Sequence, residues 1–521
     1  MIIEIKKDVP LVPFHKHWQF CVGSPHATYA LRKDYFEHLK LVHDELGIQR
    51  VRFHGIFCDD MHTMHKMSDV MPLPGGTDYY EQSFRWCAVA YDNVLAAGMK
   101  PFVELGFMPR DLAAKKKHGM FFYKPNISPP KDLTKWTDYV QSFVRFLIDR
   151  YGLDEVRQWY FEVWNEPDLK IPFFAGTQKD YFELYATTVK AIKEIDGSLM
   201  VGGPATSGSK WVPELLAFCK EQNVPIDFVT THMYAGDPLG GVESSAEKED
   251  VKFNFNALAA IKLKKQLPHD SLLPLMREVF VSNEAPNGLS RDALIKSAVK
   301  AKKDALGLPV YYTEWNMCAT FSAPCNDTRM QAAYIVHAVL GTQDTIDGSS
   351  IWCFTDLFEE LHPFPEEFHG GFGMVTQSGI KKPTFHALKF LNEAYGTRVD
   401  LPVEHGGVDV AVFKGEQGYQ ILLSKLNFSP GNKKAEITLR VAAEAEPSAV
   451  MIRRIDETHG NPLKLWQAMD SPQVPNKVQV QEISEKSAVH SEAMAYHFEN
   501  GVLELEARLG DNDICFIEVL L

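Results

Sequence analysis

No C-x-x-C pair occurs in this chain of 521 residues, and its eight cysteines (Cys21, Cys58, Cys87, Cys219, Cys318, Cys325, Cys353, Cys515) are scattered rather than spaced as in a disulfide scaffold. Reduced, mostly buried thiols are expected. Also lacking is any apolar run long enough to span a bilayer. Met1-Ile-Ile-Glu-Ile-Lys-Lys-Asp8 puts an acid where a signal peptide needs its apolar core, so the expectation is a cytoplasmic protein with no membrane partner. Without a secretory route the sequons at Asn126, Asn326 and Asn427 carry no meaning. Clusters of Lys and Arg interleaved with aromatics are missing too. With 54 Lys and Arg against 68 Asp and Glu, a net charge of −14, the surface field repels phosphate backbones and argues against nucleic acid as a partner.

What is present is a large apolar reserve, 45% of residues against 23% charged. That suits a soluble globular protein whose length predicts two units, since single cores stop growing near roughly 250–300 residues. Short apolar strands alternate with amphipathic helices from about residue 19 to 395. Eight strands are expected: Gln19–Ser24, Arg50–Gly55, Lys100–Leu105, Trp159–Pro167, Leu199–Ala205, Asp227–Tyr234, Pro309–Asn316 and Ser349–Asp356. Between them, Trp136, Val140, Phe143, Val144, Leu147 and Tyr151 fall at helical spacing and Gly152 stops the run, while Thr177-Gln-Lys-Asp180 reads as a capping box. Eight such units, without a Gly-rich first turn, favour an α/β fold of the (β/α)8 TIM barrel type over an open doubly wound sheet.

Beyond about residue 400 the helical period disappears, and strand-like stretches at 408–413, 420–423, 435–441 and 515–520 predict a β-sandwich over residues 399–521. The barrel then spans 16–398, and residues 1–15 hold a strand, Ile2–Lys6, expected to pair with the β region. Residues 236–290 exceed an ordinary βα loop and read as an insertion on the catalytic face.

Two strands end in glutamate. Trp159-Tyr-Phe-Glu-Val-Trp-Asn-Glu-Pro167 presents Glu166 and Pro309-Val-Tyr-Tyr-Thr-Glu-Trp-Asn316 presents Glu314, on the fourth and seventh strands. A lone Asn-Glu at a strand end would be a capping or salt-bridging group. Two glutamates at the C-terminal ends of two barrel strands are what glycosidic bond cleavage needs: an acid for the leaving oxygen and a carboxylate for the anomeric carbon. Glu166 is the candidate acid/base, kept protonated by a nearby ionised Glu314, and Glu314 the candidate nucleophile. Asn165 can bond the sugar 2-hydroxyl. His232 and Tyr234 alternate along one strand and so face the same side, where they could hold the nucleophile or, for the histidine, simply be buried. Trp315 and Trp352 offer flat faces for a sugar ring or mere packing, and His54 and Phe107 fall at the same end of the barrel. His62, His65 and Cys58 lack a fourth ligand and tetrahedral spacing, so no metal is expected, and Gly370-Gly-Phe-Gly373 is a turn rather than a phosphate loop.

These residues resemble glycoside hydrolase family 39, the β-xylosidases grouped with α-L-iduronidase. The likeness runs through Val51-Arg-Phe-His-Gly-Ile-Phe57, Pro101-Phe-Val-Glu-Leu-Gly-Phe-Met-Pro109, Trp164-Asn-Glu-Pro167, Thr231-His-Met-Tyr234, Tyr312-Thr-Glu-Trp-Asn316, His369-Gly-Gly-Phe-Gly373 and Lys382-Pro-Thr-Phe-His386. It implies Glu166 as acid/base, Glu314 as nucleophile, and glycone contacts from His54, Asn165, His232, Tyr234, Trp352 and one of Glu359 or Glu360. It further implies a retaining exo-β-xylosidase acting on short oligosaccharides or glycosides with no cofactor, while a homo-oligomer is left open. The segment 236–290, longer than expected for that family, departs from the resemblance on the leaving-group side. Two other readings stay open: a related glycosidase for another β-pyranoside such as an arabinopyranoside or galactoside, and a carbohydrate-binding protein without catalysis.

Overall fold

The structure, a computed structural model, describes residues 1–71, 79–236, 274, 277, 289–358, 364–431, 433–443 and 445–521. Glu359, Glu360 and nearly all of the expected insertion at 236–290 lie outside the described residues.

Eight parallel strands close into a barrel in chain order: β1 Cys21–His26, β2 Arg50–His54, β3 Lys100–Glu104, β4 Tyr160–Glu162, β5 Met200–Ser207, β6 Phe228–Gly236, β7 Val310–Cys318 and β8 Gly348–Ile351. The barrel expected from the alternating pattern is the observed fold, because strands this uniformly buried need helices on the outside to cover them. The helix Leu133–Tyr151 is typical. Asp132 accepts from the Thr134 and Lys135 amides to cap it, six side chains from Trp136 to Leu147 are buried, and Gly152 ends it at φ 85°. Each of those buried side chains contributes roughly 1.5–3 kcal/mol relative to exposure.

The two barrel ends differ in kind. At the N-terminal end Phe20, Phe102, Tyr160, Phe228 and Tyr311 form an aromatic plug, with Phe20 stacked on Tyr311 at 4.4 Å and edge-on to Tyr160 at 5.1 Å. The C-terminal end is filled by charge.

Past the barrel, an eight-stranded and a four-stranded sheet face each other across one apolar core, in which Ile437, Leu439, Val441, Leu503 and Leu505 meet Val410, Val412, Ile421, Leu423 and Ile517. Ile2–Ile5 lies parallel to Ala435–Ala442, pairing Ile2 with Thr438, and contributes Ile3 and Ile5 to that core. Leu11–Pro13 pairs with Thr397–Val399 at the sheet edge. The expectation that helices end near residue 400 needs correction. Pro462–Ala468 and Lys477–Lys486 are helical, the second opened by a capping box of Asn476 and Gln479, and their Trp466 and Ile483 pack on Phe368 and Ile380 of the barrel side. They are too short and polar for periodicity to reveal.

Candidate active site

The site is organised by a charge in the middle of a strand. Arg52 lies on β2, fully buried, where an unpaired guanidinium would be prohibitive. Its Nε donates to Glu162 Oε2 at 2.6 Å, Nη1 to Glu314 Oε1 at 2.8 Å and Nη2 to Asn165 Oδ1 at 2.9 Å, and Nη2 also lies 2.9 Å from Glu104 Oε2. One arginine thus ties β2 to β3, β4 and β7 at the level of the chemistry.

Glu314 owes its position to a bulge. In the β6–β7 register Thr231 pairs with Tyr312 but His232 pairs with Glu314, so Thr313 is an extra residue. Such an insertion re-aims side chains. Thr313 and Glu314 therefore both reach into the barrel, Thr313 Oγ1 donating to Glu162 Oε1 at 2.7 Å, while alternation resumes with Trp315 facing the helices. Burial pushes the Glu314 carboxyl up, but His232 when it is protonated at low pH, Arg52 and His54, with the Tyr234 hydroxyl donating to Oε2 at 2.8 Å, outweigh it and hold the group below its ordinary value. Burial dominates at His232 and lowers its imidazole, so its charge is not standing at neutral pH and Arg52 is the permanent cation acting on Glu314.

Glu166 sits on a strained loop. The chain leaves β4 after Glu162, and both Trp164 (φ 74°) and Glu166 (φ 40°) adopt left-handed backbone that side-chain-bearing residues avoid. The surroundings enforce it: Glu166 N donates to Ala205 O at 2.9 Å, at the β5 residue bulged against β6, and Trp164 Nε1 donates to Phe173 O at 2.9 Å. This is why β4 is shorter than the expected Trp159–Pro167. His232 Nδ1 lies 2.9 Å from Glu166 Oε1 and 3.7 Å from Glu314 Oε2, and one carboxylate oxygen of each glutamate comes within 4.8 Å of the other.

His54 Nδ1 pairs with Glu104 at 2.6 Å and its ring lies 4.7 Å from Trp352. Phe107, Phe121 and Phe173 surround it at 6.1, 5.8 and 6.5 Å. Trp352 in turn belongs to an aromatic wall with Tyr234, Phe321, Phe358 and Phe372. Buried Lys382 pairs with both Asp327 and Asp356 at 2.5 Å. Trp315 is not part of this assembly: it is fully buried in the main core, so the expectation that its face meets a sugar is corrected by the bulge that turns it outward.

Among the described residues, two groups approach metal-ligand spacing, Glu166 with His232 and Glu314, and His26 with Cys58 and Asp60. His62 and His65 do not join Cys58; they stack on each other at 5.4 Å. Sequence reading missed Arg52, Glu162 and Thr313 as members of the site. The signal was available for the first two, since a charged residue alternating with apolar ones inside a fully buried strand must find partners within the barrel. Nothing in the sequence marks the bulge.

The chain matches the family described as glycosyl hydrolases family 39 over residues 1–302 and 281–503. It is 36% identical over 506 residues to a β-xylosidase of Caldicellulosiruptor saccharolyticus, covering 96% of this chain and 94% of the relative. With a β-xylosidase of Geobacillus stearothermophilus it shares 32% over 515 residues, covering 97% and 93%. Among solved structures it superposes on the GH39 enzyme from Xanthomonas axonopodis pv. citri with a TM-score of 0.79 at 29% identity, covering 100% and 97% of the two chains. The match to a monomeric β-xylosidase from Caulobacter crescentus has a TM-score of 0.77 at 28% identity and covers 100% and 99%.

Proposed function

Since this chain belongs to family 39 of the glycosyl hydrolases, we propose that it is a retaining exo-β-xylosidase that releases xylose from the non-reducing end of xylo-oligosaccharides or xylosides. Glu314 is the nucleophile and Glu166 the acid/base. The observation that supports this reading is that one oxygen of each carboxylate lies within 4.8 Å of the other, with His232 Nδ1 at 2.9 Å from Glu166 and 3.7 Å from Glu314. An inverting site needs about 6.5–9.5 Å between its carboxyl groups to admit a water, whereas about 5–5.5 Å serves double displacement.

The groups around each glutamate fit its part. Glu314, ionised against Arg52 and oriented by Tyr234, attacks the anomeric carbon while Glu166 protonates the departing oxygen. In the second half Glu166 takes a proton from water, which displaces Glu314. Asn165, its side-chain oxygen occupied by Arg52, is left with its amide to donate to the sugar 2-hydroxyl. His54, Trp352 and the phenylalanines line the glycone, and Glu359 and Glu360, outside the described residues, are proposed to bind its far hydroxyls. The enzyme works in the cytoplasm on oligosaccharides derived from xylan.

A panel of aryl glycosides tests the sugar. Fastest release from the β-xyloside supports the reading, and preference for an arabinopyranoside or galactoside overturns the glycone. Proton NMR of the first product should show β-xylose before mutarotation; initial α-xylose rules out double displacement. Glu166→Ala should slow substrates with poor leaving groups by about 10²–10⁴-fold and those with good phenolate leaving groups much less in the first step.

A further inference from the structure

We propose that Thr313, oriented by Glu162, is a positioning residue that acts through His232: it fixes that imidazole as the tautomer protonated on Nε2, so that a bare Nδ1 faces Glu166 and holds the proton on that carboxyl. The inference rests on the reading of Glu166 as the acid and concerns how it is kept loaded between turnovers.

One buried line of donors and acceptors fixes the hydrogens. The Glu162 carboxylate, ion-paired with Arg52 at 2.6 Å, accepts only. Thr313 Oγ1 is 2.7 Å from Glu162 Oε1 and 3.2 Å from His232 Nε2, and its single hydrogen goes to the carboxylate. The threonine oxygen then has only lone pairs to offer the imidazole. Burial disfavours a charged imidazole here, and a neutral His232 must carry its one hydrogen on Nε2, which leaves Nδ1 an acceptor 2.9 Å from Glu166 Oε1. A hydrogen bond between an acceptor nitrogen and a carboxyl oxygen needs a hydrogen on the oxygen. The line thus runs from Arg52 to Glu166 with every hydrogen placed, and its last one is the proton the reaction uses.

The arrangement also fits the return step. When Glu166 has given its proton to the leaving oxygen, its carboxylate confronts the Nδ1 lone pair. That repulsion makes the carboxylate a stronger base toward the incoming water and is relieved once the proton returns. The Thr313 bulge is what allows consecutive residues to serve the two glutamates, Thr313 through His232 and Glu314 directly.

Among the described residues, the charged and titratable groups facing His232 include Glu166 on the loop after β4, Glu162 on β4, Arg52 and His54 on β2, and Glu314 on β7. The basic limb of kcat/KM against pH reports the acid in the free enzyme. In Thr313→Val the imidazole is free to put its hydrogen on Nδ1 and donate to an ionised Glu166, so that limb should move to lower pH by about one unit. Thr313→Ser should restore it. An unmoved limb in Thr313→Val, or the same displacement in Thr313→Ser, overturns the proposal. Glu166→Gln separates the two readings: the basic limb should vanish there, and its persistence would remove Glu166 as the acid whatever Thr313 does. The wild-type enzyme supplies a test independent of variant folding. Nitrogen-15 imidazole spectra, with His232 assigned by the signal lost in His232→Asn, should show Nε2 protonated and Nδ1 bare near neutral pH, and the opposite pattern defeats the inference.

Discussion

The two mouths of one barrel are built on opposite principles. At the N-terminal end Phe20, Phe102, Tyr160, Phe228 and Tyr311 fill the lumen with aromatic rings. At the C-terminal end the same eight strands converge on Arg52, Glu104, Glu162, Glu166, His232 and Glu314. The first end gains stability from area removed from water and is indifferent to pH; the second confines several carboxylates around one permanent cation, an arrangement weak as a source of stability and strong as a source of field. Stability and reactivity are thereby separated by the length of a strand, so substitutions at the two ends should have different signatures.

The largest effect is expected from Glu314→Ala. Without the proposed nucleophile turnover should fall by on the order of 10⁵-fold or more, with azide restoring part of it, while thermal unfolding stays cooperative. A variant of near wild-type activity would remove Glu314 from the mechanism. Next comes Arg52→Met, which strips the shared cation from Glu104, Glu162 and Glu314. Breaking buried pairs in this way costs about 3–5 kcal/mol, and activity should fall with stability. The pH dependence has a definite sign. Glu314 is held below the ordinary 4.5, so its contribution to stability is complete above that value and is lost as pH falls through the lowered one. In Arg52→Met this acid-side loss should shrink and the acid limb of kcat/KM move upward. Calorimetry and rate profiles between pH 3 and 6 measure both.

Phe228→Ala sharpens the contrast from the other end. Removing a fully buried ring that contacts Phe102, Tyr160 and Tyr311 should cost about 3–5 kcal/mol, with kcat/KM of the folded enzyme nearly unchanged. A large kinetic loss at temperatures where the variant is native would show that the two ends are coupled. Smallest is Trp315→Phe, which should lower stability by about 1–2 kcal/mol and leave KM alone, because the ring packs against the helices. A raised KM would return Trp315 to the sugar site.

The contrast also explains what the sequence could disclose. Apolar alternation located every barrel strand, since the ladder and the helical cover impose their periods on any sequence that satisfies them. Ends were less legible. Trp159–Pro167 reads as one run, yet the ladder stops at Glu162 and the next residues turn through positive φ, a departure set by contacts from Ala205 and Phe173 that lie far away in sequence. Glu166 and Glu314 stood out because their chemistry is rare at strand ends, whereas Thr313 could not: a one-residue bulge leaves no trace in composition. Trp315 shows the same blindness from the other side, its neighbour's role having lent it a face it does not present.

The pairing of Ile2–Ile5 with Ala435–Ala442 also bears on the order in which the molecule can be made. A strand near the first residue waits for a partner that leaves the ribosome 436 positions later, Ile2 for Thr438. At about 5–20 residues added per second, that wait is on the order of 20–90 s, long enough for the whole barrel to emerge and fold first. Until then Ile3 and Ile5 are apolar side chains on an unclaimed strand, the kind of segment that chaperones shield, and this strand cannot pair before Ala435–Ala442 has been made.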